Sequence, residues 1–392
     1  MDFAKGKLLG GPSTLGNDRS GSLACLAVRF ALEFNMDGTA GDVARTQVER
    51  HMRLCLAATA GRDTLVTLAG SEPLLAEAAY ELLKETQSNP VHHLANHSDL
   101  NCVDRGRRGE LVASLLIMQA CDAARAELSG QRWVPVNGFM KELLPDEKYD
   151  DLMKSMPNFY REGEKVDFAA TFKDYGIWFN HVIKVQKEKM YSAEHLWKFI
   201  TRGAMMLCAN NQQGVDIVIP ICHTKKALSR NSVTAIFVQV KNAENYQSNI
   251  DKTLFDGMDP INLGLFPDNV VPKPVIRIVF ALAAVEAGVH FPKARKRVHH
   301  HHDPFTAFDV WSAGLGIEAF KGIQGDLRSY EHLLERSLRP HDAFHLKDDP
   351  KLSDKGHART RVMRGTHRRK MAPLITENEA HHAIHSGSVS AA

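Results

Sequence analysis

Gly214-Val215-Asp216-Ile217-Val218-Ile219-Pro220-Ile221 and Val233-Thr234-Ala235-Ile236-Phe237-Val238-Gln239-Val240-Lys241-Asn242 are the two most apolar runs of the chain, separated by a short polar linker. Both are rich in β-branched residues and bounded by turn formers, so both read as buried strands. Each carries polar groups that a buried strand does not need. Asp216 stands near the start of the first run, and Gln239 and Lys241 near the end of the second. Side chains alternate along a strand, so Gln239 and Lys241 share a face and Val240 takes the other. The linker, Cys222 to Ser232, is short enough for the strands to pair antiparallel. A carboxylate, an amide oxygen and a lysine then converge at one end of the hairpin.

That convergence suits a divalent cation and a phosphodiester. Mg²⁺ is a hard ion that takes oxygen ligands and few dedicated protein groups, and Mn²⁺ shares that preference. Asp216 supplies a charged oxygen, Gln239 a neutral one, and the Val240 carbonyl a third. Lys241 is suited to orient water and to steady negative charge developing on phosphorus.

The pattern resembles the restriction-endonuclease-like superfamily, whose signature is an Asp on one strand and Glu/Gln-x-Lys on the next. Here it stands as Gly-Val-Asp216 and Gln239-Val-Lys241, with Gln in the place of the commoner Glu. From about Ser71 onward the chain also resembles fungal proteins allied to the Crinkler-type effectors. The carrying stretches are Ser-Glu-Pro-Leu-Leu-Ala-Glu-Ala-Ala (71–79), Arg-Gly-Glu-Leu-Val-Ala (108–113), Gly-Val-Asp-Ile-Val-Ile-Pro (214–220) and Val-Gln-Val-Lys-Asn (238–242). The resemblance implies a metal-dependent nuclease acting on nucleic acid, DNA above all. It implies that a helix glutamate ahead of the strands completes the metal site, and Glu110 is the candidate. It also implies a P-loop NTPase domain upstream. No GxxxxGK[ST] occurs in the chain, so the expectation is the C-terminal portion of such a protein. Inactive copies exist in this group, and a non-catalytic binding module is the competing reading.

The rest of the chain is read around that core. At 392 residues and net charge +3 it has room for more than one domain and too little charge to argue nucleic-acid binding alone. Six cysteines (Cys25, Cys55, Cys102, Cys121, Cys208, Cys222), without a CxxC, read as buried reduced thiols. No signal peptide and no membrane span is read, so an intracellular, even nuclear, protein is expected. A GxSxG following a strand is absent, which argues against a serine hydrolase.

The expected fold class is mixed α/β, α+β in character: a restriction-endonuclease-like core of helix, three-strand meander, helix and strand, with an added helical N-terminal region. The expected segments are a flexible lead-in (1–20), a helical region (21–130), an aromatic-rich connection (131–190), the core with flanking helices (191–345) and a basic disordered tail (346–392).

Within them, Ser22 to Phe34 reads as a buried helix or strand, and Asp42 to Ala60 as a helix. A helix capped by Ser71 runs to about Thr86, and another spans Leu111 to Leu128. His92, His93, His97 and Asp99 are read as a surface loop, and Trp133 to Val136 as a short extended piece. A helix spans Asp146 to Met156 and another Ser192 to Gly203. Ala204 to Cys208 and Val275 to Leu282 read as strands, Phe305 to Leu315 as a helix, and Tyr330 to Leu338 as the last helix. His299 to His302 read as a loop. Phosphate contacts are assigned to Arg105, Arg107 and Arg108 ahead of the Glu110 helix, and to Lys225, Lys226 and Arg230 in the hairpin linker. Lys293, Arg295, Lys296 and Arg297 form a further basic loop.

Overall fold

The computed structural model describes residues 1–11, 13–15, 19–34, 39–58, 65–86, 89–98, 108–128, 133–185, 190–209, 212–243, 245–266, 270–293 and 303–338. In chain order the elements open with α1 (Asp2–Leu9), α2 (Arg19–Phe30), α3 (Thr39–Arg50), β1 (Arg53–Ala58), β2 (Leu65–Ala69), α4 (Pro73–Glu85), α5 (Pro90–Ser98) and α6 (Arg108–Ala126). There follow β3 (Val134–Pro135), α7 (Val136–Leu143), α8 (Asp146–Met153), α9 (Phe168–Thr171), β4 (Tyr175–Ile177), β5 (His181–Lys184) and α10 (Ala193–Thr201). The last are β6 (Ala204–Leu207), β7 (Ile217–His223), β8 (Val233–Lys241), α11 (Lys252–Gly257), β9 (Val275–Ala281), β10 (Gly288–His290), β11 (Ala307–Ala313) and α12 (Leu327–Leu338). The fold is mixed α/β. Met1–Leu338 is one compact unit, and Arg339–Ala392, with the expected basic tail, lies outside the described residues.

The two quoted runs are the middle of a mixed sheet. β7 and β8 pair antiparallel from Ile217↔Val238 to Cys222↔Val233. β8 continues parallel to β9, and β9 parallel to β11, with β10 closing that side antiparallel. On the other flank of β7, β6 pairs with Ile217 and Val218, and β4 with Ile221 to His223. Pro220 sits at the gap between those two partners. A residue without an N–H is tolerated there at no cost to the ladder.

Alternation divides the core. Ile217, Ile219, Ile221, Ile236 and Val238 face the larger cluster, built with side chains of α2, α4, α6, α7 and α12. Val218, Cys222, Ala235 and Phe237 face a second cluster with Leu196 and Ile200 of α10 and Phe255 of α11. By parity Gln239 and Lys241 belong to the second face, and Val240 packs on the first.

Several expectations need correction. Phe305 to Leu315 is not a helix but contains β11, fully buried, with Phe308 and Val310 on one face and Ala307, Trp311 and Ala313 on the other. The Asp309 carboxylate takes two hydrogen bonds from Arg277 of β9, its register neighbour, at 2.6 and 2.7 Å. This cross-strand pair fixes the segment as strand. The helix expected over 42–60 stops at Arg50. Met52 has φ 57°, and the chain then turns into β1, which pairs with β2. His92, His93 and His97 lie on α5, not on a loop; Asp99 is outside the described residues. The lead-in is helical: α1 buries Leu8 and Leu9, and Lys5 forms an ion pair with Glu85 of α4. Cys25, Cys121, Cys208 and Cys222 are buried thiols outside any disulfide, as expected, whereas Cys55 is exposed on β1. Cys102 and His299–His302 lie outside the described residues.

Ser71 does not cap α4. Glu72 occupies that position, and the Ser71 Oγ instead meets His181 Nε2 at 2.9 Å, while His181 Nδ1 lies 2.8 Å from Asn180 Oδ1. Such an order of contacts also serves hydrolases. Here His181 is wholly enclosed, so the chain of bonds clamps the start of α4 to β5. Burial, helped by the Arg202 charge, lowers the His181 pKa from 6.5 to about 4. The unfolded chain therefore takes up a proton at this residue before the folded one does. Stability from this histidine is present above pH 6.5 and is lost as pH falls toward 4, by about 3 kcal/mol. Chemical denaturation across pH 4–7 should show this slope, and His181→Gln should flatten it. An unchanged slope in the variant would remove His181 from the account.

Candidate metal centre

The β7–β8 ladder ends at Ile217↔Val238, and Asp216 lies one residue beyond it. Its amide still donates to the Val238 carbonyl at 2.9 Å. Its carboxylate accepts from the Val240 amide at 2.6 Å through Oδ2. Asp216 is thereby locked to the end of β8, within range of the Lys241 ammonium, whose charge opposes protonation of the carboxyl. Burial is the larger effect, and the Asp216 pKa stands above the ordinary carboxylate value. The Lys241 carbonyl accepts from Leu282 on the β9 side. Backbone groups alternate along a strand, so the Val240 carbonyl turns toward Asp216.

Gln239 follows the same parity. It is 7 % exposed, and its Oε1 is a buried acceptor without a hydrogen-bond partner. The Asn242 Oδ1 one residue past β8 is buried and unpartnered as well. An orphaned amide oxygen on Gln239, next along the strand from the amide that holds a carboxylate, is costly in a dry core, and a hard cation takes oxygens of this kind. Oxygens of this kind are those that Mg²⁺ or Mn²⁺ takes. Asp216, Gln239 and the Val240 carbonyl would hold such an ion.

Glu110 joins this end of the sheet from the first turn of α6. Its charge and that of Asp216 both push the Cys208 thiol up, behind burial as the main cause, so the two carboxylates flank the same residue. A close contact aligns α6. A Cβ on Gly109 would fall 1.5 Å from Asn242 Nδ2, so a larger residue there would displace the Asn242 side chain from the helix start. Asn242 is a polar residue at this strand end to which the motif reading gave no role. Its signal was its position directly after Gln-x-Lys.

A second glycine contact shapes the entry to Asp216. Gly214 has φ 86°, and a Cβ there would lie 2.2 Å from the Gly257 carbonyl oxygen at the end of α11. The helix end thus seats directly on the turn ahead of Asp216.

The assigned phosphate contacts divide differently. Lys225, Lys226 and Arg230 are exposed in the β7–β8 linker, at the opposite end of the hairpin. About six residues of strand, roughly 20 Å, separate that linker from Asp216. Lys225 pairs with Asp174 at 2.7 Å. Arg105 and Arg107 lie outside the described residues, as does the side chain of Arg108 at the start of α6.

Over residues 17–257 the sequence matches a family described as a domain of unknown function, DUF8736. The chain belongs to this family. The DUF8736 match spans Glu110, Asp216, Gln239 and Lys241 and ends at Gly257, on the glycine contact. No curated protein and no solved structure matches the chain.

Two outcomes test this geometry. Gly214→Ala meets both a left-handed backbone and a carbonyl clash, and should cost about 3 kcal/mol in denaturant unfolding. A loss within 0.5 kcal/mol, the usual scatter of a surface change, would refute the contact. Asp216→Asn tests the buried charge. A raised carboxyl pKa favours folding below the unfolded pKa and loses that benefit as pH rises through the folded value. Removing the charge should therefore raise Tm at pH 7 in EDTA. Mg²⁺ should raise the Tm of the native chain and leave that of Asp216→Asn unmoved.

Proposed function

We propose that the chain is a metal-dependent nuclease that hydrolyses phosphodiester bonds of nucleic acid, DNA above all. The observation that carries this reading is the buried, orphaned Gln239 oxygen on the strand end whose next two residues, Val240 and Lys241, act on the Asp216 carboxylate. A core side chain with an unused acceptor is rarely kept without a partner. The element order supports the same reading. Helix α10, the antiparallel meander β6–β7–β8, helix α11 and strand β9 follow the helix, three strands, helix, strand order of a restriction-endonuclease-like core.

The bound ion would supply Lewis acidity at the phosphoryl oxygen. The protein's own groups do the rest. Asp216 and Gln239 fix one side of the reacting centre, and Glu110 adds negative charge from α6. Lys241 orients the attacking water and holds positive charge against the phosphorane as the water oxygen bonds to phosphorus and the ester oxygen leaves. The basic linker of the hairpin, about 20 Å away, serves flanking nucleic acid and not the scissile phosphate.

One observation favours a second reading. Among the described residues no group of three His, Cys, Asp or Glu side chains could hold a metal ion, and Gln239 is neutral. A nuclease fold that binds without cutting would be built this way. No helix among the described residues is long and apolar enough to cross a membrane.

Supercoiled plasmid and single-stranded DNA, incubated with Mg²⁺ or Mn²⁺, separate the two. Cleavage should be abolished by EDTA and reduced about 100-fold or more by Asp216→Ala and by Lys241→Ala. Folded protein that binds DNA equally well with and without Asp216, and cuts neither substrate, would establish the binding module instead.

A further inference from the structure

A cavity of about 640 Å³ lies between α2, α4, α5 and α6, with Asp326 just ahead of α12 at its rim. Its size falls in the range that holds a small organic ligand. Phe30, Leu83, Leu115, Met118, Ala123 and Ala126 give it an apolar lining.

The polar groups on the wall narrow the ligand. Most are already satisfied within the protein. Asp122 receives Arg29 through both carboxylate oxygens at 2.8 and 2.9 Å, and the Arg29 Nε donates to the Asn180 carbonyl. His92 contacts Asp326 at 2.5 Å through Nε2 and Ser329 through Nδ1. Asn89 donates to Asp326 and accepts from the Val91 amide. Gln119 donates to the Gly322 carbonyl and accepts from the Tyr330 hydroxyl.

Two lining groups remain. The Tyr80 hydroxyl makes no hydrogen bond and Lys84 makes no ion pair among the described residues. They stand one turn apart on α4, and the Lys84 ammonium lies 5.7 Å from the Tyr80 ring centroid. A phenol donor beside an exposed ammonium, over an apolar floor, recognises a single anionic head on an apolar body.

We propose that this cavity binds a small monocarboxylate with an apolar body, its carboxylate held by Lys84 and Tyr80 and its body against Phe30, Leu115 and Met118. A dianion finds no second free cation here among the described lining residues. A cation meets Lys84 at the mouth, with both wall carboxylates already paired.

Titration calorimetry of the full chain with sodium decanoate tests this, with decanol and decyltrimethylammonium as neutral and cationic counterparts. Decanoate should bind with one-to-one stoichiometry, decanol about tenfold more weakly, and the cation not at all. Lys84→Gln should weaken decanoate about tenfold without changing Tm, because the side chain is exposed. Ala123→Phe, which fills the cavity from the α6 wall, should abolish binding while thermal unfolding stays cooperative. No binding of decanoate to the native chain, or equal binding in both folded variants, overturns the proposal. So does a cation bound as tightly as decanoate.

Discussion

The hydrogen bond from the Val240 amide to the Asp216 carboxylate joins three parts of the structure that have no covalent reason to meet. It closes the open end of the β7–β8 ladder, where the backbone of Asp216 no longer follows the register. It draws a carboxylate into partly dry surroundings, which raises its pKa, and sets it beside the Lys241 ammonium. The turn that delivers Asp216 depends on Gly214 accepting the end of α11, and the helix that carries Glu110 starts with Gly109 against Asn242. Gly214 meets backbone in a left-handed conformation, whereas Gly109 meets the Asn242 side chain, and between them they seat two helices at the joined ends of β7 and β8. Side-chain chemistry at this site rests on backbone contacts.

What the sequence made legible follows from this. β7, β8 and β9 carry long β-branched runs, and strands buried on both faces leave that mark. The polar residues inside those runs stood out because nothing in a buried strand calls for them. β11 was less legible. Phe-Asp-Val-Trp mixes charge with large apolar groups, and its strand character depends on Arg277, which lies 32 residues earlier and pairs with Asp309. α1 was hidden by its glycines, and its packing on α4 is tertiary. α3 ends at Arg50, just ahead of Met52, whose positive φ has no sequence signature. The Gly109–Asn242 contact joins residues more than a hundred positions apart, and no local pattern announces it.

Buried charge is handled in two ways in this molecule. Arg277 and Asp309 are both almost fully buried, with two mutual bonds, a third from Arg277 to the Phe255 carbonyl, and the Phe159 ring 4.6 Å from the guanidinium. Every donor of consequence is answered, as a buried pair requires if it is not to weaken the fold. On the same sheet face, two residues further along β8, Gln239 leaves an acceptor unanswered. The contrast is informative because both sites lie on one face of the same sheet, on neighbouring strands. A fold able to satisfy a guanidinium completely has left one amide oxygen open.

The identity of that residue bears on why the site tolerates being empty of counter-charge. A carboxylate at 239 would be buried one residue along from the Val240 amide that holds Asp216, and two buried carboxylates close together push each other toward protonation. Lys241 is one cation and already interacts with Asp216. An amide keeps the oxygen donor and removes the repulsion, so the strand end remains stable with a single buried negative charge. The cost falls on the affinity for a divalent ion, since neutral oxygens hold it less firmly than charged ones. Glu110, on a helix seated against Asn242, is the group that can restore that charge from outside the sheet, where solvent lowers the penalty of ionisation. On the proposed reading, with one buried carboxylate on the strand and one on a helix turn, the reach of α6 toward β8 would set how firmly a cation is held.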